Sequence, residues 1–144
     1  MFSTADRGKE LSLEPGFNFF AGIDWGTERH RVCVMDPEGI VVGERWTQHN
    51  GASIAELITW LVETTGPAAD ALAIAIELPR GAIVEALSEH GFEVFSINPK
   101  QLDRFRDRYS PAGAKDDSRD AFVLADSLRT DLHCFHAVGP TIPQ

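Results

Sequence analysis

Asp117 and Asp120 stand three residues apart, and residues at i and i+3 share one face of a helix. Downstream, Ala121, Leu124, Ala125 and Leu128 form an apolar stripe at helical spacing. On a wheel of ~100° per residue, Asp117 falls roughly 30° from the centre of that stripe, Asp120 about 90° and Asp116 about 130°. Two acids therefore face the body of the protein and Asp116 faces away. Charges turned toward a core are costly unless a cation or hydrogen bonds compensate them. The same residues also suit a plain helix start, with Asp117 as N-cap and Asp120 at N3, where the helix dipole favours acids. Only distant partners decide between the two. Asp24 and Glu77 are the candidates, since each ends an apolar run of strand length, over residues 18–24 and 71–76. Four carboxylates from two strands and one helix would offer hard oxygen ligands of the kind that suit Mg²⁺ or Mn²⁺. Two such ions about 4 Å apart can activate an attacking oxygen and stabilise the leaving oxygen at a phosphodiester. Without a cation the four charges would repel one another, which makes the set hard to justify as scaffolding. Glu77 could also be a strand-end surface acid, and its burial behind Ile74 and Ile76 would distinguish the two.

The elements that must position these acids follow from the hydrophobic periods. Residues 18–24 read as a buried strand whose alternation puts Phe20, Gly22 and Asp24 on one face. Residues 31–35 and 40–46 give two more strands, joined by the turn Asp36-Pro37-Glu38-Gly39. Helical spacing follows over 51–64, with Ile54, Leu57, Ile58 and Leu61 on one face and Asn50 or Ser53 as cap. A near-continuous apolar strand over 71–76 ends at Glu77, as expected of a strand covered on both faces. A helix over 82–90 stops at Gly91, a fifth strand spans 92–97, a helix spans 100–109, a loop covers 110–113 and the helix of the two aspartates closes the domain. Three antiparallel strands followed by helix, strand, helix, strand, helix make an α/β three-layer arrangement, a mixed five-stranded sheet with helices on both faces. It resembles the ribonuclease-H-like fold. A right-handed crossover through the first helix lets the fourth strand lie parallel beside the first, which brings Asp24 near Glu77 at the C-terminal strand ends.

Composition narrows the class. With 144 residues, 43% hydrophobic and 24% charged, the chain can bury one core. Residues 1–17 carry no apolar period and read as a flexible tail, 18–131 as the domain, and 132–144 as a tail or the start of a linker. No apolar run approaches the ~20 residues of a membrane span, and the first 18 residues are too polar for a signal peptide, so no membrane is involved and the cytoplasm is the expected compartment. Cys33 and Cys134 lack CxxC spacing, so both read as reduced packing residues, and His133 with His136 lacks matched cysteines for zinc. Trp25, Trp46 and Trp60 read as core or interface residues. The net charge of −9 is awkward for a free-standing nucleic-acid binder. Lys100, Arg104, Arg106, Arg108, Lys115 and Arg119, however, are six of the 13 basic residues and gather beside the proposed acids. They are the candidate nucleic-acid contacts; the alternative is a solvated helix in which Asp103 and Asp107 balance the arginines.

Gly22-Ile-Asp-Trp25, Ile76-Glu-Leu-Pro-Arg-Gly81, Ile97-Asn-Pro-Lys-Gln101 with Phe105, and Ala114-Lys-Asp-Asp-Ser-Arg-Asp-Ala121 before Ala-Asp-Ser-Leu-Arg-Thr-Asp occur in that order. In these motifs the chain resembles the DEDD transposases of the insertion-sequence 110 type, relatives of the pilin-gene-inverting recombinase, over about residues 19–131. The resemblance implies a RuvC-like catalytic domain with Asp24, Glu77, Asp117 and Asp120 as the D, E, D, D ligands of Mg²⁺ or Mn²⁺, two ions in all. It implies DNA recombination guided by a structured RNA, cleaving and rejoining phosphodiesters at insertion-sequence ends and target DNA, by a homo-oligomer of the full-length protein. The family usually has Thr or Ser after the motif's Lys, where this chain has Asp116, so which adjacent acid binds metal stays open. Family members also continue into a second domain with a Ser nucleophile, so this chain is expected to be an incomplete recombinase. Three alternatives stand beside this one. Gly22-Ile-Asp-Trp-Gly-Thr27 is similar to the phosphate hairpin of actin-like ATPases and sugar kinases, though Glu77 and the paired aspartates have no task there. A stand-alone Holliday-junction resolvase would share the fold and metals. A silent fragment would serve only assembly or RNA binding.

Overall fold

The computed structural model describes residues 16–77, 80–109 and 117–138, with the backbone alone at Asp117 and Ser118. β1 (Phe19–Asp24), β2 (Arg29–Met35) and β3 (Val41–Gln48) form an antiparallel meander. The turn before β3 is held by Asp36, whose carboxylate accepts from the backbone N–H groups of Glu38 (2.9 Å) and Ile40 (3.0 Å), while Gly39 takes a positive φ of 88°. α1 (Gly51–Thr65) starts where the Asn50 side chain accepts from the Ser53 N–H at 2.8 Å, and buries Ile54, Leu57 and Leu61. β4 (Leu72–Ile76) then lies parallel to β1, pairing Phe19 with Leu72 through Ile23 with Ile76. α2 (Ala82–His90) ends in the left-handed Gly91, and β5 (Glu93–Ser96) runs parallel to β4. α3 (Pro99–Arg106) has Pro at its start and Asn98 as N-cap; α4 (Asp117–Thr130) follows.

Among the described residues the sheet has six strands in the order β3-β2-β1-β4-β5-β6, one more than the five expected. β6 (His136–Val138) follows a single 3-10 turn (Leu132–Cys134) and pairs antiparallel with β5. The chain after residue 131, read from sequence as tail or linker, is thus part of the sheet edge as far as Val138. Three residues are too few to show a strand period, and only the β5 edge supplies their partners. At the other end Phe17, read as tail, is buried with its ring 6.1 Å from Phe20 and 6.0 Å from Phe95. The remainder of the expected tail and the loop 110–113 lie outside the described residues. β3 runs two residues further than expected and α3 stops three residues earlier.

Helices cover both faces, which is the ribonuclease-H-like layering the element order implied. Against α1 and α2 the strands present Ala21, Ile23, Val32, Val34, Leu72, Ile74 and Ile76. Against α3 and α4 they present Phe20, Cys33, Met35, Ala73 and Ala75. The alternation of β1 and β4 sorts these sets, so every second residue of each strand points to the same helix layer. Among the described residues no helix is long and apolar enough to cross a membrane.

Candidate active site

Ile23 and Ile76 are the last paired residues of β1 and β4, and the next residues along each strand are Asp24 and Glu77. The row Phe20, Gly22 on β1 and the row Ala73, Ala75 on β4 face the α3/α4 layer, so Asp24 and Glu77 extend those rows at one end of the sheet. Asp24 is half-buried and Glu77 exposed. Exposure leaves the surface-acid reading of Glu77 standing, and it is equally what an open site would require.

α4 reaches the same place because Gly22 lets it. A Cβ built on Gly22 would lie 2.2 Å from the Ala121 carbonyl oxygen and 2.6 Å from the Ala125 nitrogen. Only glycine allows the helix backbone to press on β1 here. That contact carries Asp120, the neighbour of Ala121, to the end of the sheet where Asp24 sits. Asp120 is only 1% exposed. Its two carboxylate oxygens accept from Arg106, Oδ1 from Nε at 2.9 Å and Oδ2 from Nη2 at 3.3 Å. The Arg106 side chain is itself 17% exposed and also bonds Asp103 one turn back on α3. The hydrogen bond to Asp120 raises the Arg106 pKa above its usual value, burial opposes the rise, and the charges of Asp120, Asp103 and Glu77 add to it. Glu77 and Asp120 therefore act on one cation.

Asp117 opens α4 one turn before Asp120, but its side chain, like Asp116 and Lys115, lies outside the described residues. The helical wheel put Asp120 about 90° from the apolar stripe, yet in the fold it is buried, because α3 closes over it with Arg106. Asp24, Glu77 and Asp120 are a hard-oxygen set from two strand ends and one helix, which fits Mg²⁺ or Mn²⁺ in donor type, face and end of the sheet. Arg106 supplies a cation among them. Among the described residues the three-donor group with all ligand atoms within 4.8 Å is a different one, Asp131, His133 and Cys134. There Asp131 is already engaged, accepting from Arg108 at 3.0 Å and from the Thr130 hydroxyl at 2.5 Å.

The basic residues separate into two sets. Lys100 and Arg104 are exposed and line a shallow depression with Asn98, Gln101, Cys134 and His136. Arg106 and Arg108 are paired with Asp120 and Asp131, and Arg119 donates to the Tyr109 carbonyl at 3.0 Å. The expectation of Asp103 and Asp107 as balancing acids holds for Asp103, through Arg106. The Tyr109 hydroxyl, pushed up to about 12 by burial and its bond to Asp126 at 2.5 Å, fastens α4 from the same side.

Sequence reasoning missed Arg31, which lies directly across from Asp24 in the β1/β2 register. Arg31 reaches Glu44 at 2.5 Å, and its guanidinium sits 5.2 Å from the Trp46 ring centre, with Arg29 at 3.9 Å on the same indole. The signal was the Arg-x-Arg alternation just after the Asp24 turn, which puts both guanidinia on one strand face. On the opposite face Trp25 stacks on the buried His30 at 3.5 Å. His30 Nδ1 accepts from the Gly26 N–H at 3.0 Å, so Nε2 carries the proton and donates to His49 Nδ1 at 3.2 Å. Burial, with the charge of His49 second, pulls the His30 pKa down to about 4.

Comparison with known proteins bears on this geometry. A family model described as "Transposase", for the DEDD type of insertion sequence 110, matches residues 21–142. "Putative transposase y4uE" of Sinorhizobium fredii is 50% identical over 125 residues, covering 86% of this chain and 35% of that protein. "Mini-circle putative transposase for IS117" of Streptomyces coelicolor is 36% identical over 120 residues, covering 83% of this chain and 29% of that protein. The chain thus spans about a third of the length of the curated relatives it matches. Among solved structures, the large terminase nuclease from thermophilic phage G20c aligns with a TM-score of 0.50 at 18% identity, over 90% of this chain and 76% of that one. At that identity the likeness concerns the fold alone.

Proposed function

The chain belongs to the DEDD transposases of the insertion-sequence 110 type, and from that premise we propose that it is the metal-dependent catalytic domain of an RNA-guided transposase. The observation that supports this reading is that Asp24 and Glu77 follow the last paired residues of two adjacent parallel strands, while α4, seated on Gly22, carries Asp120 toward the same end of the sheet. Asp24, Glu77, Asp117 and Asp120 would hold the ions, and the chemistry supplied there is activation of an attacking oxygen and stabilisation of a leaving one at a phosphodiester. The residues of this chain do the rest. The two strand ends fix the spacing of Asp24 and Glu77, α4 delivers Asp117 and Asp120 from above, and the exposed Lys100 and Arg104 offer charge to a phosphate backbone. Structured RNA, a serine-bearing second domain and a homo-oligomer complete the proposed machine.

The test is metal-dependent strand cleavage by the full-length protein. Asp24→Asn, Glu77→Gln and Asp117→Asn should each abolish it, while Asp116→Asn should leave most of it. Cleavage that survives loss of Glu77 would return Glu77 to the surface-acid role, and loss of cleavage with Asp116→Asn but not Asp117→Asn would shift the ligand by one residue. The isolated 144 residues should bind nucleic acid weakly, with a salt slope of roughly 0.9 per phosphate contacted on duplex DNA. Complete recombination by these residues alone would favour a self-sufficient resolvase.

A further inference from the structure

We propose that Arg106 is the resident counter-ion of the acidic site: its guanidinium fixes Asp120 through both carboxylate oxygens and competes with divalent cations for the site. The inference rests on the metal-dependent reading above and deepens it. Asp120 is buried, and a buried carboxylate must find donors or a cation. Arg106 provides both from a different helix, as a fork of Nε and Nη2 on the two oxygens. The fork is held from behind by Asp103, one turn earlier on α3. It also lies in the field of Glu77, so one guanidinium serves three acids.

This pairing has a consequence for metal binding. A carboxylate has further lone pairs, but an ion brought to those of Asp120 stands within a few ångströms of a cation that cannot be relieved by deprotonation. The two positive centres repel. In the absence of metal the same guanidinium cancels repulsion among the acids, so the site keeps its geometry while empty of ions. Arg106 is therefore a positioning residue. It trades metal affinity for a pre-formed site, and it is spent inside the protein rather than available to a nucleic-acid phosphate.

Mn²⁺ binding by the 144-residue chain, followed by the electron paramagnetic resonance of free Mn²⁺, tests this. Arg106→Gln keeps a donor and removes the charge; its Mn²⁺ affinity should rise on the order of tenfold, the effect of deleting one nearby unit charge in a partly exposed site. The variant should melt lower than wild type without metal, and gain more in melting temperature when Mn²⁺ is added. Arg106→Lys, which keeps the charge, should bind within about twofold of wild type on the same electrostatic grounds, and Asp120→Asn should lose the site. A second measurement needs no variant that might fail to fold. Titrating Mg²⁺ into the wild-type chain should move the Arg106 Nε–H resonance with the dissociation constant of the ion. Unchanged or weaker Mn²⁺ affinity in Arg106→Gln, or an Arg106 resonance indifferent to Mg²⁺ while the ion binds, overturns the proposal and leaves the metal site intact. No binding by wild type or any variant overturns the metal reading, and the inference with it.

Discussion

The two faces of the sheet end differently at the same edge. Toward α1 and α2, β1 and β4 present Ala21 and the large branched side chains Ile23, Leu72, Ile74 and Ile76, and the face closes in the ring cluster of Trp25, His30 and His49. Toward α3 and α4 the same strands present Phe20 at the start of β1 and then Gly22, Ala73 and Ala75, and this face ends in Asp24, Glu77, Asp120 and Arg106. Bulk keeps α1 and α2 at side-chain distance. Its absence lets the α4 backbone touch β1, and a helix that touches a strand can deliver an acid to the strand's end. The difference teaches that the small residues of β1 and β4 matter through the distance of approach they permit.

Breaking that asymmetry should have the largest effect. Gly22→Ala drives a methyl into the α4 backbone at Ala121 and Ala125, where nothing flexible can yield. It should cost upwards of about 4 kcal/mol, beyond ordinary overpacking, or prevent folding outright. A wild-type urea midpoint in this variant would mean that α4 can stand off from β1. On the other face, Ile74→Ala should cost roughly 3–4 kcal/mol through transfer and cavity terms. It should leave Mn²⁺ affinity unchanged, since no acid depends on it; a lost metal site would show that the two faces are coupled through β4.

The ring cluster at the end of the α1/α2 face should be sensitive to acid through His30. His30 takes a proton at about 4 in the fold, against about 6.5 in the unfolded chain. The depressed value means that its contribution to stability is present above about pH 6.5 and is lost as pH falls toward 4, by up to about 3 kcal/mol. Protonation would also abolish acceptance from the Gly26 N–H. Urea unfolding between pH 7 and 4 should show the loss, and His30→Phe should reduce it. An unchanged profile would place the acid sensitivity among the carboxylates instead.

The smallest effect concerns Arg108. Its pair with Asp131 is more exposed than that of Arg106 with Asp120, and its guanidinium rests 4.5 Å from the Phe105 ring centre. Arg108→Ala should cost no more than about 1 kcal/mol. A larger loss on thermal melting would make the end of α4 as dependent on α3 as its beginning is.

Much of this architecture is legible in the sequence because the signals are local. The alternation through Phe20, Gly22 and Asp24, the apolar run ending at Glu77, the Asn and Gly caps, and the helical stripe from Ala121 to Leu128 each depend on residues a few positions apart, which is the range over which backbone geometry imposes a period. The order of motifs likewise carries the family resemblance in the sequence alone. Tertiary structure alone decided the partners. That Asp120 is taken by Arg106, that Arg31 stands across from Asp24, that His30 is neutral between Trp25 and His49, and that His136–Val138 becomes a sixth strand all depend on segments far apart in the chain. The helical wheel put Asp120 about 90° from the helix's own stripe, because it knows only that stripe. Which side of α4 is covered was settled by α3 and its arginine, and a charge is buried where another element brings the cation that compensates it.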